Sequence, residues 1–167
     1  MQTAMTDAAG RSSRQQLRVH GTAVARGSFA ALIRGVSGSG KSDLALRFIA
    51  QTGVFADNGT HPHKLVADDQ TLLIRSGDAI EVQCPATICG HLEVRGLGIF
   101  KMPTVASARL TVLVDLVASE AIERLPDGNE VEQVLDLPIQ RVALSPFESS
   151  APLKLALALD RCAALSR

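Results

Sequence analysis

Phe29-Ala-Ala-Leu-Ile-Arg-Gly-Val-Ser-Gly-Ser-Gly-Lys-Ser-Asp-Leu-Ala-Leu-Arg-Phe-Ile-Ala50 passes from a short apolar run, through a glycine-rich turn, into a helical pattern. Its centre, Gly35, Val36, Ser37, Gly38, Ser39, Gly40, Lys41 and Ser42, completes a G-x-x-x-x-G-K-[ST] loop. Glycines let the backbone approach anionic oxygens closely, and the loop N–H groups then point at phosphates. The following helix adds the positive end of its dipole. Lys41 supplies a point charge to the β- and γ-phosphates, and the Ser42 hydroxyl suits a magnesium shell. Phe29 to Ile33 predicts a buried strand, Asp43 to Ala50 a helix and Gly53 its stop. Strand, loop and helix together predict nucleotide binding. A merely structural glycine turn accounts for neither Lys41-Ser42 nor the flanks.

A chain of 167 residues fits one domain with a real core. The 46% hydrophobic and 20% charged content is that of a soluble globular protein. Seventeen basic residues balance seventeen acidic ones, so no global field recruits nucleic acid or an anionic membrane. Five Phe, with neither Trp nor Tyr, leave few platforms for stacking single strands, and tyrosine autophosphorylation is excluded. No apolar stretch reaches transmembrane length. Residues 1–17 are polar, lack an apolar targeting core, and read as a loose tail before a catalytic domain over 18–167.

Cys84, Cys89 and Cys162 form no C-x-x-C pair and read as reduced, mostly buried thiols of a cytoplasmic protein. Zinc held by Cys84, Cys89 and His91 is disfavoured by the spacing. His61-Pro-His63 reads as part of a solvated loop, which spans 52–63 with Gly53, Asp57-Asn58-Gly59 and Pro62. Arg18 to Ala25 is expected to be a first strand, turning at Gly27. Lys64 to Ala67 is another, ending at Asp68-Asp69. Thr71 to Arg75 and Ala79 to Gln83 flank Ser76-Gly77-Asp78 as a hairpin. Leu92 to Phe100 follows, and Leu110 to Val117 is the most strand-like segment. Leu153 to Leu165 has leucines at period two, but its alanines and length favour a helix. The expected fold is α/β: a phosphate loop on a mixed sheet with flanking helices, not all parallel, since several strands adjoin by short turns.

Phosphoryl transfer needs an aligned acceptor, a cation on the developing charge and a base near the acceptor hydroxyl. Asp68-Asp69 and Asp115 both close apolar strands. By pattern alone Asp115 is the magnesium-directing acid of a phosphate-loop ATPase. Adjacent strand residues face opposite ways, so one of Asp68 and Asp69 is expected to aim at the phosphates and the other to cap a turn. Glu93 and Arg95 share a face of a strand, as a magnesium and phosphate site or as a surface ion pair.

Four ordered signals recur together in a known family: Val19-His20-Gly21, the loop at 35–42, Leu65-Val-Ala-Asp-Asp69, and Leu92-Glu-Val-Arg-Gly-Leu-Gly-Ile99. With them the chain, from about Arg18 onward, resembles the catalytic domain of the HPr kinase/phosphorylase family, bacterial enzymes acting on a serine of the phosphocarrier protein HPr. The last signal is that family's own signature, and Glu123-Arg124-Leu125 resembles a weaker downstream motif. The resemblance implies a fold like that of HPr kinase and phosphoenolpyruvate carboxykinase. It implies that Gly35 to Ser42 hold ATP, that Ser42 and Glu93 hold Mg2+, and that Asp69 takes the proton from the acceptor serine. It also implies that His20, Lys41 and Arg124 complete the catalytic set, and that the protein is a cytoplasmic homo-oligomer, a hexamer in the family.

Two departures accompany it: there is no room for the N-terminal domain of larger members, and the 52–63 loop is long. A third is Ala143-Leu-Ser-Pro-Phe-Glu148, which stands where the family has an Arg- and Gly-containing loop tied to the phosphorylase direction. The expectation is kinase activity, with the phosphorylase reaction weak or absent. The alternatives are a small-molecule kinase or NTPase using Asp115, and a non-catalytic ATP-binding regulatory module.

Overall fold

The structure is a computed structural model that describes residues 15–51, 61–87 and 89–165. The expected loop at 52–63 falls almost wholly outside these residues, as do residues 1–14 of the tail. Eleven strands and two long helices occur in the described chain. They run β1 (Gln16–His20), β2 (Thr22–Arg26), β3 (Phe29–Arg34), α1 (Lys41–Ala50), β4 (His63–Ala67), β5 (Gln70–Ser76) and β6 (Ala79–Gln83). Then come β7 (His91–Val94), β8 (Gly98–Lys101), β9 (Ser107–Leu116), β10 (Val131–Val134), β11 (Leu137–Leu144) and α2 (Ala151–Leu165).

Nine strands form one sheet in the order β1-β5-β6-β9-β3-β2-β4, with β11 joining β9 and β10 joining β11. Among the described strands only the β3–β9 and β9–β11 pairs are parallel. The sheet is therefore mixed, as expected. The β7–β8 hairpin stands apart as a two-stranded sheet.

The expected single strand at 18–25 is instead two strands, broken at Gly21. The Gly21 N–H donates to the Asp69 carbonyl at 3.1 Å, and its own carbonyl accepts from Thr71 Oγ1 at 2.9 Å. β1 then pairs with β5, while β2 enters the centre of the sheet between β3 and β4. Leu92 to Phe100 likewise divides, with Val94 opposite Gly98 across a turn.

Both faces of the central strands are buried. Ala31, Ile33, Val112 and Val114 pack under Leu44, Phe48, Leu155 and Leu159 of the two helices. Ala30, Leu32, Leu110 and Leu113 pack on the other side with Leu73, Ile80, Val82 and Ile139. Leu110 and Val112 would share a face of a regular strand. They do not, because the β3–β9 register slips between Ala30 and Ala31 and leaves Thr111 as an extra residue.

In α2, Leu155 and Leu159 are buried one helical turn apart while Leu157 is exposed, which resolves the leucine run as helical. Pro152 sits in its first turn, where a missing N–H costs nothing. Arg26, nearly buried, pairs with Asp160 and ties α2 to β2.

His63 is not part of a solvated loop. It begins β4, is buried, stacks on Phe48 with ring centroids 4.0 Å apart, and bonds the Phe48 carbonyl through Nδ1 at 2.7 Å. Burial lowers its pKa from the usual histidine value. Of the thiols only Cys162 is buried. Cys89 is exposed and Cys84 half-buried, its pKa pushed up to about 12 by burial and then by Cys89.

Candidate active site

β3 delivers the chain into the loop from the centre of the sheet, and α1 leaves it. Gly38 and Gly40 have φ of 78° and 95°, the left-handed backbone by which the loop folds back on itself, and the Ser39 N–H closes that turn onto the Val36 carbonyl at 3.1 Å. Lys41 is buried, and its Nζ donates to the carbonyls of Gly35 and Val36 at 2.8 and 2.9 Å, across the loop's own turn. Ser39 Oγ is buried without a hydrogen-bond partner among the described residues. A buried ammonium and an unpaired hydroxyl at the start of a helix fit a phosphate chain.

Next to the loop, the adjacent aspartates divide in a way that strand alternation does not give. Asp68 closes β4, and its Oδ1 accepts from Ser42 Oγ at 2.9 Å and from the fully buried Thr22 hydroxyl at 2.8 Å. Its Oδ2 accepts the Glu93 N–H at 3.4 Å. Asp69 has φ of 63°, and the Gln70 N–H closes the turn onto the Asp68 carbonyl at 2.7 Å. Asp69 is thus no longer strand-like, and the two carboxylates take different partners. Its Oδ1 meets His20 Nε2 at 2.9 Å, with both side chains open to solvent. Neither acid is a mere turn cap.

β7 places Glu93 exposed beside Asp68. Arg95, just beyond, brings its guanidinium within 3.7 Å of where a Cβ on Gly38 would lie. The pair therefore borders the phosphate loop. Arg124 lies exposed in the irregular chain after a 3₁₀ turn at Ser119–Ala121, with no hydrogen bond or ion pair to another described residue. It is not brought into contact with Lys41, Ser42 or Asp69.

Asp115 does not face Ser42. Its carboxylate takes a forked bond from Arg34, at 2.8 and 3.0 Å, and another bond from Arg141. Arg34 also holds Glu132 at 2.6 and 2.8 Å. Burial pushes the Asp115 carboxyl up, but bonds and charge from Arg34 and Arg141 outweigh it and hold it below the ordinary carboxylate range. The hydrogen bond from Arg34 lowers Glu132 as well. An acid bound to two guanidiniums is not free for a cation, and it is Asp68, not Asp115, whose carboxylate meets Ser42. The sequence offered one signal for this, the doubled acid at a strand end, and no signal for Thr22.

A phosphate loop on a mixed sheet, with a Ser42–Asp68 contact at its end and a His–Asp pair beside it, defines a phosphate-loop protein equipped for phosphoryl chemistry. Residues 12–150 match the family model of the HPr Serine kinase C-terminal domain, and the chain belongs to that family. It is 37% identical over 137 residues to an HPr kinase/phosphorylase of Bordetella pertussis (strain Tohama I), covering 75% of this chain and 41% of that protein. It is 35% identical over 144 residues to one of Cupriavidus metallidurans, covering 80% and 42% respectively. The chain thus spans about two fifths of the length of these curated relatives. The structure of the Hpr(Ser) kinase/phosphatase from Coxiella burnetii has the same fold. Its TM-score is 0.70 at 24% identity, covering 90% of this chain and 97% of that one. No helix among the described residues is long and apolar enough to cross a membrane.

Proposed function

We propose that this chain is an ATP-dependent protein-serine kinase domain that phosphorylates HPr in the cytoplasm, with 18–167 as its catalytic unit. The observation that carries the reading is Asp69, exposed and held by His20, one residue from the acid that receives the phosphate loop's Ser42. An exposed carboxylate at that point suits a protein substrate, since a serine on another molecule must reach it. Asp69 accepts the serine proton as the serine Oγ attacks the γ-phosphorus. The bond from that phosphorus to the β–γ bridging oxygen breaks, and ADP leaves.

His20 fixes the orientation of Asp69. Lys41 and Arg95 carry positive charge to the transferring group, and Arg124 joins them by its resemblance to the family motif. Ser42 and Asp68 bring two hard oxygen donors together at the end of the loop, and Glu93, whose backbone N–H bonds Asp68, carries a further carboxylate beside them. These residues would hold a magnesium ion beside the phosphates. Such an ion supplies charge neutralisation on the phosphates. The Asp115 alternative is disfavoured by its two arginines.

The turn after β11 carries Ser145, Pro146 and Phe147 and no arginine, which supports a kinase with little phosphorylase activity. Homo-oligomer formation, as a hexamer, belongs to the same reading. The test is MgATP with purified HPr and with its serine-to-alanine variant, followed by mass spectrometry. A phosphoryl group on wild-type HPr alone is the expected result. ATP hydrolysis indifferent to HPr would favour a small-molecule kinase or NTPase. Tight binding without product would favour a regulatory module. Incubating phosphoserine-HPr with inorganic phosphate is expected to release little pyrophosphate.

A further inference from the structure

The turn between β11 and α2 is built against the phosphate loop. The Phe147 ring lies 3.1 Å from where a Cβ on Gly40 would sit, and Pro146 Cβ lies 3.2 Å from the same point. Gly40 is the residue from which α1 starts, so the ring is seated against the helix end of the phosphate loop. Yet 73% of Phe147 is exposed, although apolar groups elsewhere in this turn are covered. Among the described residues the other phenylalanines are no substitute. Phe29 and Phe48 are in the core, and Phe100 is on the β8 hairpin.

The turn is also fixed in place. Arg47, in the second turn of α1, donates to the carbonyls of Pro146 and Glu148. Asp43 holds Arg47 at 2.8 and 3.0 Å. Lys154 of α2 bonds the Glu148 carboxylate, and the Ala151 N–H caps the Glu148 carbonyl at 3.0 Å. The same helix that presents the phosphate amides therefore positions the ring, and a stack on it loses little side-chain freedom on binding.

We propose that Phe147 is the stacking platform for the base of the nucleoside triphosphate whose phosphates lie in the 35–42 loop. The assignment rests on the nucleotide reading of that loop. A phenyl face offers π-contact and no edge-reading hydrogen bonds, so its contribution is affinity for a flat aromatic base and not for the phosphates.

The experiment compares ATP with inorganic tripolyphosphate, which has the phosphate chain and no base, by titration calorimetry of the full chain with magnesium. Phe147→Ala is expected to weaken ATP about tenfold, the scale of one lost base–aromatic stack, and to leave tripolyphosphate unchanged. Phe147→Trp is expected to keep ATP affinity. Because the chain has no Trp and no Tyr, its lone indole also reports directly. Its emission should be quenched by ATP and not by tripolyphosphate. Equal weakening of both ligands by Phe147→Ala would make the ring a prop for the loop and overturn the platform. So would no weakening of either, or an indole indifferent to ATP. Wild-type protein that binds neither ligand would overturn the phosphate-loop reading itself and the platform with it, a result distinct from binding both with no role for Phe147.

Discussion

Asp68 accepts three hydrogen bonds, from the phosphate loop, from β2 and from β7, and it is the residue on which the loop's geometry converges. Asp68→Ala would strand the Thr22 hydroxyl, which is wholly buried. An unpaired buried donor costs about 1–3 kcal/mol, and urea unfolding should show a loss of that order. Titration of ATP with and without magnesium should show the metal-dependent part of the affinity lost. Gly35 is required for a different reason. A Cβ there would lie 2.5 Å from Ser39 Oγ and 3.3 Å from Leu116 Cβ. Gly35→Ala should lose ATP binding and about 1–3 kcal/mol of stability through overpacking, checked by calorimetry of both. The loop was legible because its glycines, lysine and serine form a contiguous pattern that depends on no distant contact. The division of labour between Asp68 and Asp69 was not. It depends on a left-handed backbone at Asp69, whereas alternation leaves one of the two acids only a turn to cap.

At the level of elements, α1 is held by what it covers. Phe48 packs on His63 of β4, and the neutral imidazole is the form that belongs there. The folded pKa of His63 is depressed, so below about 6.5 the unfolded chain binds a proton that the folded chain refuses. Stability from this group is full above that pH and falls as pH drops toward the lower folded value. Thermal unfolding between pH 7.5 and 5.5 should show this slope in wild type and a shallower one in His63→Gln. The histidine-rich composition of 61–63 suggested solvent; that β4 begins at His63 follows only from pairing with β2. The β10–β11 hairpin was also invisible. Val131-Glu-Gln-Val134 is short and half polar, and Pro138 argues against a strand. Its two-residue turn is Leu135-Asp136, both with positive φ, where asparagine and glycine are the usual signals.

Across the molecule, the parallel strands β3, β9 and β11 are clamped at their shared end by alternating charges: Glu132, Arg34, Asp115 and Arg141. Asp115 and Glu132 have depressed folded pKa values. Their contribution is therefore present above the ordinary carboxylate range near about 4 and drains as pH falls through the lower folded values. Acid unfolding should thus begin with His63 and steepen below about pH 4. Asp115→Ala leaves a partly buried guanidinium with one partner fewer. It should cost about 1–3 kcal/mol by chemical denaturation, while ATP affinity stays near wild type. Collapse of magnesium-dependent ATP turnover with stability intact would instead restore Asp115 as the metal's acid. The mixed sheet was legible in outline, from strand count and short turns. Its order was not, because the β9 register slip and the branch to β11 are set by tertiary packing.

If Asp69 removes the proton of a serine presented by another protein, its amide variant must lose transfer while keeping ATP. Single-turnover transfer from γ-labelled ATP to HPr by Asp69→Asn, run beside an ATP titration, tests it most directly. The predicted result is a fall in transfer of about 10²–10⁴-fold with ATP affinity unchanged. Transfer at the wild-type rate with the amide in place would contradict it.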